Sequence, residues 1–127
     1  MISIYDAIRI QSILIEKFGG SGGLRDRKLL ESALMRPYQT FDNEDLYPTP
    51  ERKAAAIIES ILINHPFLDG NKRFGYVAMR LVLMEYGYDI SADEDKKYEF
   101  VMKIAKGESN FEKIQDWIKN NLIKKQD

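Results

Sequence analysis

Two apolar stretches, separated by a short polar and proline-containing break, limit this chain more than any other feature. The first holds Ala54, Ala55, Ile57, Ile58, Ile61 and Leu62; the second holds Phe74, Val77, Ala78, Leu81, Val82 and Met84. Both have helical spacing. The second is apolar around most of its circumference, so a helix there belongs at the centre of a bundle. Pro66 forbids the first helix from running into the second, because proline disfavours helical geometry in the residue before it. The chain must therefore fold as a helical hairpin wrapped by other elements.

The wrapping elements are legible by the same reasoning. Ser3 to Phe18 places Ile4, Ala7, Ile8, Ile10, Leu14 and Ile15 at helical intervals, and Gly19-Gly20-Ser21-Gly22-Gly23 ends it as a flexible turn, with Arg25 and Asp26 placed to anchor that turn to the domain. Asp26 caps a second helix that Pro37 stops. Tyr38 to Pro50 reads as a long loop with a short hairpin, and irregular loops of that length are often functional. Thr49-Pro50-Glu51 opens the third helix with a cap, a first-turn proline and an early acid. The fourth runs from about Asn71 to Tyr86, with Gly87 just past its end. Asp93 to Lys106 forms a fifth. Ser109 and Glu112 match a capping box for a sixth, with Phe111, Ile114, Trp117, Ile118 and Leu122 inward. The basic end, Lys119 to Lys125, reads as a solvated face or a frayed tail. No run of alternating strands is visible. The expected fold is all-α: a compact bundle of six helices in a single domain, residues 1–127, with a buried central helix.

Composition removes several functions. Cysteine is absent, which excludes disulfides, thiolate zinc sites and cysteine nucleophiles. With 19 basic and 20 acidic side chains, the net charge of -1 argues against a protein that coats nucleic acid. No stretch has the length of a membrane span, and Met1 to Phe18 is too charged for a signal peptide. A cytoplasmic location is the default expectation.

The break between the two apolar helices carries the chemistry. His65-Pro66-Phe67-Leu68-Asp69-Gly70-Asn71-Lys72-Arg73 holds the only histidine, then a carboxylate, a glycine, an asparagine and two cations. All stand at the start of a helix, where unpaired N–H groups and the helix dipole attract anions, phosphate above all. Gly70 admits a phosphate close to the backbone. Lys72 and Arg73 add charge, Arg73 with a two-pronged donor. Asp69 suits Mg²⁺ that is shared with phosphates. His65 is placed to take a proton from a hydroxyl. Each has a plainer reading alone: a structural histidine, a helix-capping aspartate, solvated cations. Phe67 reads as a core anchor. The conjunction, within nine residues, is what points to phosphoryl or nucleotidyl transfer.

This segment closely resembles the signature of the Fic/Doc (Fido) family, H-[PX]-F-x-[DE]-[GA]-N-[GK]-R. Phe18-Gly19-Gly20 with Gly23-Leu24-Arg25-Asp26, then Leu29-Leu30-Glu31-Ser32-Ala33-Leu34, resembles the opening of the death-on-curing (Doc) branch, and Ile104-Ala105-Lys106-Gly107-Glu108 its close. The resemblance implies a Fido-type bundle and a transferase using ATP or another nucleoside triphosphate with Mg²⁺. It implies His65 as general base, Asp69 as the Mg²⁺-positioning acid, and Gly70, Asn71, Lys72 and Arg73 as phosphate binders. It places a target-aligning flap at Phe41, Asp42, Asn43, Glu44, Asp45, Leu46 and Tyr47. It also implies a protein target, elongation factor Tu being the known kind, and a separate antitoxin. The self-inhibitory pattern [ST]-x-x-x-E-[GN] is matched neither by Ser12 to Lys17 nor by Thr40 to Asp45.

Two positions bear on which group is transferred. Members that attach AMP carry glycine where this chain has Lys72, and a second arginine where it has Tyr76. Both differences resemble the Doc branch, which implies transfer of the terminal phosphate. Pro66 and Gly70 look more like the AMP-transferring version. Phosphate transfer is the leading expectation and nucleotidyl transfer the alternative. A non-catalytic nucleotide- or phosphopeptide-binding module and a ribonuclease rank lower, the last because of the near-neutral charge and solitary histidine.

Overall fold

The helical hairpin expected around Pro66 is present and everything else is arranged on it. A computed structural model describes residues 1–125. In chain order it contains α1 (Ile4–Phe18), α2 (Arg27–Met35), a 3-10 turn (Arg36–Tyr38), β1 (Thr40–Phe41), β2 (Glu44–Asp45), α3 (Pro50–Asn64), α4 (Asn71–Glu85), β3 (Tyr88–Ile90), α5 (Glu94–Ala105), α6 (Phe111–Asn120) and β4 (Leu122–Lys124). Among the described residues no helix is long and apolar enough to cross a membrane.

The centre of the bundle is α3 rather than α4. It packs most extensively on α4 and α6, and also touches α2 and α5. Its buried residues run almost without interruption from Lys53 to Ile58 and from Ser60 to Leu62. Three successive alanines, Ala54 to Ala56, are fully enclosed and allow the surrounding helices to approach. At the crossing with α4 there is little room: a Cβ on Gly75 would lie 3.1 Å from Leu62 Cδ2 and 3.4 Å from Ile61 Cγ2. On α4 the inward set is Phe74, Ala78, Met79, Val82 and Leu83. Val77, Leu81 and Met84, expected inside, are only half-buried. Val77 borders an open groove between α1, α4 and α5 of about 590 Å³, and that groove accounts for its exposure.

Five helices begin with a side-chain cap. Ser3, Asp26, Thr49, Asp93 and Asn110 each accept a bond from an amide in the first turn. At α6 the cap is Asn110, bonded to the Lys113 amide, and not Ser109. The shift is one residue, and both residues are good caps. Helix α2 ends at Met35, two residues before Pro37, which sits inside the 3-10 turn that follows.

Two small antiparallel sheets complete the fold. The β1–β2 hairpin lies inside the loop expected to contain one. The β3–β4 pair was not legible from the sequence: Tyr88, Asp89 and Ile90 pair with Lys124, Ile123 and Leu122. The chain beyond α6 is thus a paired strand up to Lys124, and not a frayed tail. Three-residue strands carry too short a pattern to stand out from a helix end.

A two-pronged ion pair ties β3 back to α4. Arg80 Nε and Nη2 donate to the two oxygens of Asp89, each at 2.9 Å, and the Ile90 amide donates to Oδ1 at 2.7 Å. The Arg80 hydrogen bonds hold the Asp89 carboxyl below its usual pKa of 3.8, against some desolvation. A depressed acid stabilises the fold above its unfolded pKa, and that contribution is lost as pH falls through the folded value. The pair should therefore stabilise at neutral pH and fail below about pH 4. Asp89→Asn protein is expected to be less stable than the parent at pH 7 and by a smaller margin at pH 2–3. Denaturant midpoints at both pH values check this; an equal deficit at both would refute it.

Candidate active site

Helix α3 ends where Pro66 requires. His65 is its C-cap, in left-handed conformation with φ 49° and ψ 63°. Its amide still bonds the Ile61 carbonyl at 3.1 Å. For a residue with a Cβ this conformation costs about 1–2 kcal/mol, so its surroundings must hold it. They do: Arg25 Nε donates to the His65 carbonyl at 2.6 Å and Nη2 to the Asn64 carbonyl at 2.5 Å. The residue is exposed. Among the described residues no protein group hydrogen-bonds its imidazole, which leaves both ring nitrogens accessible to a substrate.

The turn that follows is built around Phe67 and Asn71. Phe67 is 1% exposed and meets the Phe74 ring edge-on, with centroids 4.9 Å apart. Asn71, itself buried, holds the backbone of Phe67 twice: Oδ1 accepts from its amide and Nδ2 donates to its carbonyl, both at 3.0 Å. The Asn71 side chain is thus committed to shaping the turn. What it offers an anion is its backbone N–H.

Helix α4 is the exception among the six. Its N-cap is Gly70, φ 71°, and no side chain caps it. Asp69, which could have served, does not: its Oδ1 accepts from the Gly70 amide at 2.8 Å, outside the helix. Among the described residues the amides of Asn71, Lys72 and Arg73 have no acceptor, and the first pairing is Phe74 N–H to Gly70 C=O at 3.0 Å. Three unpaired donors at the positive end of a helix dipole make an anion seat. Lys72 and Arg73 flank it, both exposed. The Arg73 guanidinium lies 4.3 Å from the centroid of the Phe18 ring, a stacking contact that orients it along the rim.

Asp69 is exposed but positioned by three contacts. Gly70 holds Oδ1, the Ser21 amide donates to Oδ2 at 3.2 Å, and Gln11 Nε2 donates to the Asp69 carbonyl at 3.1 Å. Among the described residues no group of three or more His, Asp or Glu side chains is placed to hold a metal. One free carboxylate beside an anion seat suits Mg²⁺ that shares its ligands with a bound phosphate, because that ion keeps most of its shell as water and phosphate oxygens.

One turn beyond Arg73, the Tyr76 hydroxyl is buried without a hydrogen-bond partner. Burial, partly offset by the nearby Arg80, raises its pKa to about 12. It contributes no positive charge to the seat.

The flap residues Phe41 to Tyr47 form the β1–β2 hairpin, with Asp42 (φ 53°) and Asn43 (φ 65°) in the left-handed turn that two-residue hairpins favour. The hairpin is exposed; Phe41 is 76% accessible. Its hydrogen bonds and ion pairs do not reach the motif. They run to α3 and the 3-10 turn instead. Lys53 Nζ, on a side chain only 6% exposed, lies 3.1 Å from Asp45 Oδ2 and 3.3 Å from the Pro37 carbonyl oxygen. Arg36 donates to Tyr47 Oη at 2.9 Å and pairs with Glu59 at 2.9 Å. A hairpin with two-residue strands is marginal alone, so these anchors set its position. Asp45→Asn leaves a buried ammonium without its counter-charge. The expected cost is about 1–2 kcal/mol, between the exposed and buried limits. Faster amide exchange confined to residues 40–46 is the measurement; unaltered exchange there would contradict the anchoring role.

Gly19 to Gly23 was expected to be a flexible turn that Arg25 and Asp26 anchor to the domain; the anchoring is present, and its partner, the motif itself, was not foreseen. The segment lies against the motif and pairs with it in antiparallel sense: the Arg25 and Asp26 amides donate to the Pro66 carbonyl, Leu24 bridges Phe67, and the Leu68 amide donates to the Gly23 carbonyl at 3.1 Å. Gln11 was missed as well. A polar residue among Ala7, Ile8 and Leu14 on the inward side of α1 was the available signal, and it is 2% exposed.

Comparison with known proteins places this geometry. A family model described as the Fic/DOC family matches residues 1–83. Toxin Doc of Mycolicibacterium smegmatis is 41% identical over 78 residues, which covers 61% of this chain and 60% of that protein. A Fido domain-containing protein of Dictyostelium discoideum is 29% identical over 105 residues, or 78% of this chain and 71% of that one. The matched stretch thus spans three fifths of the first relative's length. The family match covers α1 to α4 up to Leu83, and with them the whole of the site.

Proposed function

Because the chain belongs to the Fic/DOC family, we propose that it is a Doc-type toxin that moves the terminal phosphate of ATP onto a serine or threonine hydroxyl of a cytoplasmic protein, such as translation elongation factor Tu. The observation that carries this reading is the uncapped start of α4, with three free amides, Lys72 and Arg73 beside an exposed, unpartnered His65. In the reaction the substrate hydroxyl loses its proton to the His65 imidazole as its oxygen bonds to the γ-phosphorus. The bond from that phosphorus to the β-γ bridging oxygen breaks, and ADP leaves. The Asn71, Lys72 and Arg73 amides hold phosphate oxygens, and the two cations balance their charge. When bound, Mg²⁺ would be held by Asp69 and would neutralise further phosphate charge. The hairpin from Phe41 to Tyr47 presents an exposed strand edge on which the target backbone is aligned. The similarity to a protein named Toxin Doc supports a separate antitoxin as the controlling partner.

Nucleotidyl transfer is the second reading, favoured by Pro66 and by Gly70 at the cap position. Lys72 argues against it. Its side chain occupies space at the seat and shifts positive charge towards the groove it lines with Arg73 and Arg80. Incubating the purified protein with Mg²⁺, a bacterial lysate and either α- or γ-labelled ATP distinguishes the two. Label from the γ-position alone is expected. Label from the α-position establishes the second reading, and equal labelling by His65→Ala protein removes both.

A further inference from the structure

We infer that the segment from Gly20 to Asp26 is a positioning clamp that fixes His65 and Asp69 within the motif. The inference rests on the transferase reading for its catalytic consequence, but the clamp itself is a geometric claim. Residues 21–26 run antiparallel along residues 64–69. The chain of contacts is continuous: Arg25 to Asn64 and His65, the Arg25 and Asp26 amides to Pro66, Leu24 to Phe67, Gly23 to Leu68, Ser21 to Asp69.

The two ends of the clamp act differently. At one end Arg25 caps the carboxyl end of α3, where the last carbonyls have no helical partners and the dipole is negative. Its two donors hold the Asn64 and His65 carbonyls at 2.5 and 2.6 Å, and so keep His65 in the left-handed conformation that aims its ring. Without that grip the unfavourable φ of 49° relaxes more easily. Arg25 is a positioning residue, since it touches the backbone of His65 and not the imidazole.

At the other end a side chain would displace the Asp69 carboxylate. A Cβ on Gly20, whose φ is 111°, would stand 2.6 Å from Asp69 Oδ2 and 3.0 Å from Ile15 Cδ1. The Ser21 amide then holds that same Oδ2. Gly20 and Ser21 thus select one orientation of the carboxylate. Glycine at this position is favoured by its backbone angle, and any Cβ there would push the Asp69 carboxylate out of its place.

The chain has one histidine, so its NMR spectrum contains one set of imidazole resonances. That makes the two ends separately observable, without nucleotide, metal or target. Arg25→Ala is expected to move or broaden the His65 imidazole signals and to leave the Asp69 and Gly70 amide signals near their parent positions. Gly20→Ala should do the reverse. In the transfer reaction Arg25→Ala should lower kcat about tenfold to a hundredfold, the cost of a misplaced base, with ATP affinity within about twofold of the parent. Arg25→Lys, which keeps one donor, should recover part of kcat. A folded Arg25→Ala protein with parental imidazole signals overturns the clamp. So does a Gly20→Ala protein with unmoved Asp69 and Gly70 signals. Should Arg25→Ala not fold, Arg25→Lys and Gly20→Ala decide by the same signals. Absence of any transfer by the parent would overturn the transferase reading, and the NMR comparison would still decide the clamp.

Discussion

His65→Ala protein is expected to lose transfer activity by about 10²–10⁴-fold while keeping its fold. The side chain is exposed and makes no hydrogen bond within the described chain, so its removal opens no cavity. Alanine is somewhat less at ease than histidine in the left-handed C-cap, but Arg25 still holds the carbonyl of residue 65 there. Nucleotide affinity should change little, because the amides of Asn71, Lys72 and Arg73 do not depend on the imidazole. The loss should therefore fall on kcat, as expected for a group that acts only as the proton moves. Steady-state rates with a fixed target, beside thermal midpoints of both proteins, check this. Activity within tenfold of the parent would mean that another group takes the proton.

The largest effect on stability is expected at Phe67. This ring is 1% exposed, packs edge-on against Phe74, and carries the motif into the core. Phe67→Ala should cost about 3–5 kcal/mol, combining lost transfer energy with the cavity left behind. For a chain of 127 residues that lowers the melting temperature by about 10–20 °C. The Asn71 bonds to the Phe67 backbone remain possible in the variant, so the native turn should still form in the molecules that fold. Activity per folded molecule at low temperature is then expected to stay within about tenfold of the parent. A variant with the parent's melting temperature would show that Phe67 does not anchor the motif.

The sequence made the helical hairpin plain because two features coincide there. Continuous apolar spacing marks both arms, and Pro66 forces the break between them. Caps such as Asp26, Thr49 and Asp93 marked helix starts because their side chains bond amides three residues away, a local pattern. The centre of the bundle was harder to place. Ala54, Ala55 and Ala56 look modest beside Phe74 and Leu81, yet small residues are what allow neighbours to close in on α3. The β3–β4 pair joins positions far apart in sequence through strands of three residues, so nothing local announces it.

The site divides in the same way. His65, Asp69 and the cations were legible because they lie in one contiguous run with an internal chemical logic. Asn71 was legible as a motif residue, but its commitment to the Phe67 backbone depends on the shape of the turn. The contributions of Ser21 and Arg25 span 48 residues to Asp69 and 40 to His65, through a backbone amide and a guanidinium that bonds backbone carbonyls, and like that of Gly20 no local spacing announces them. A glycine-rich run after a helix is ambiguous until the opposing surface is known. Here that surface is the Asp69 carboxylate, and the turn is a fitted contact.

The account rests on a claim about which group crosses from nucleotide to target. The most direct measurement is the mass of a target protein recovered after incubation with the purified protein, Mg²⁺ and ATP, set beside a His65→Ala control. The account predicts the mass increment of a single phosphate, present with the parent and missing with the control. An increment the size of a nucleotide, or the same increment in both samples, would contradict it.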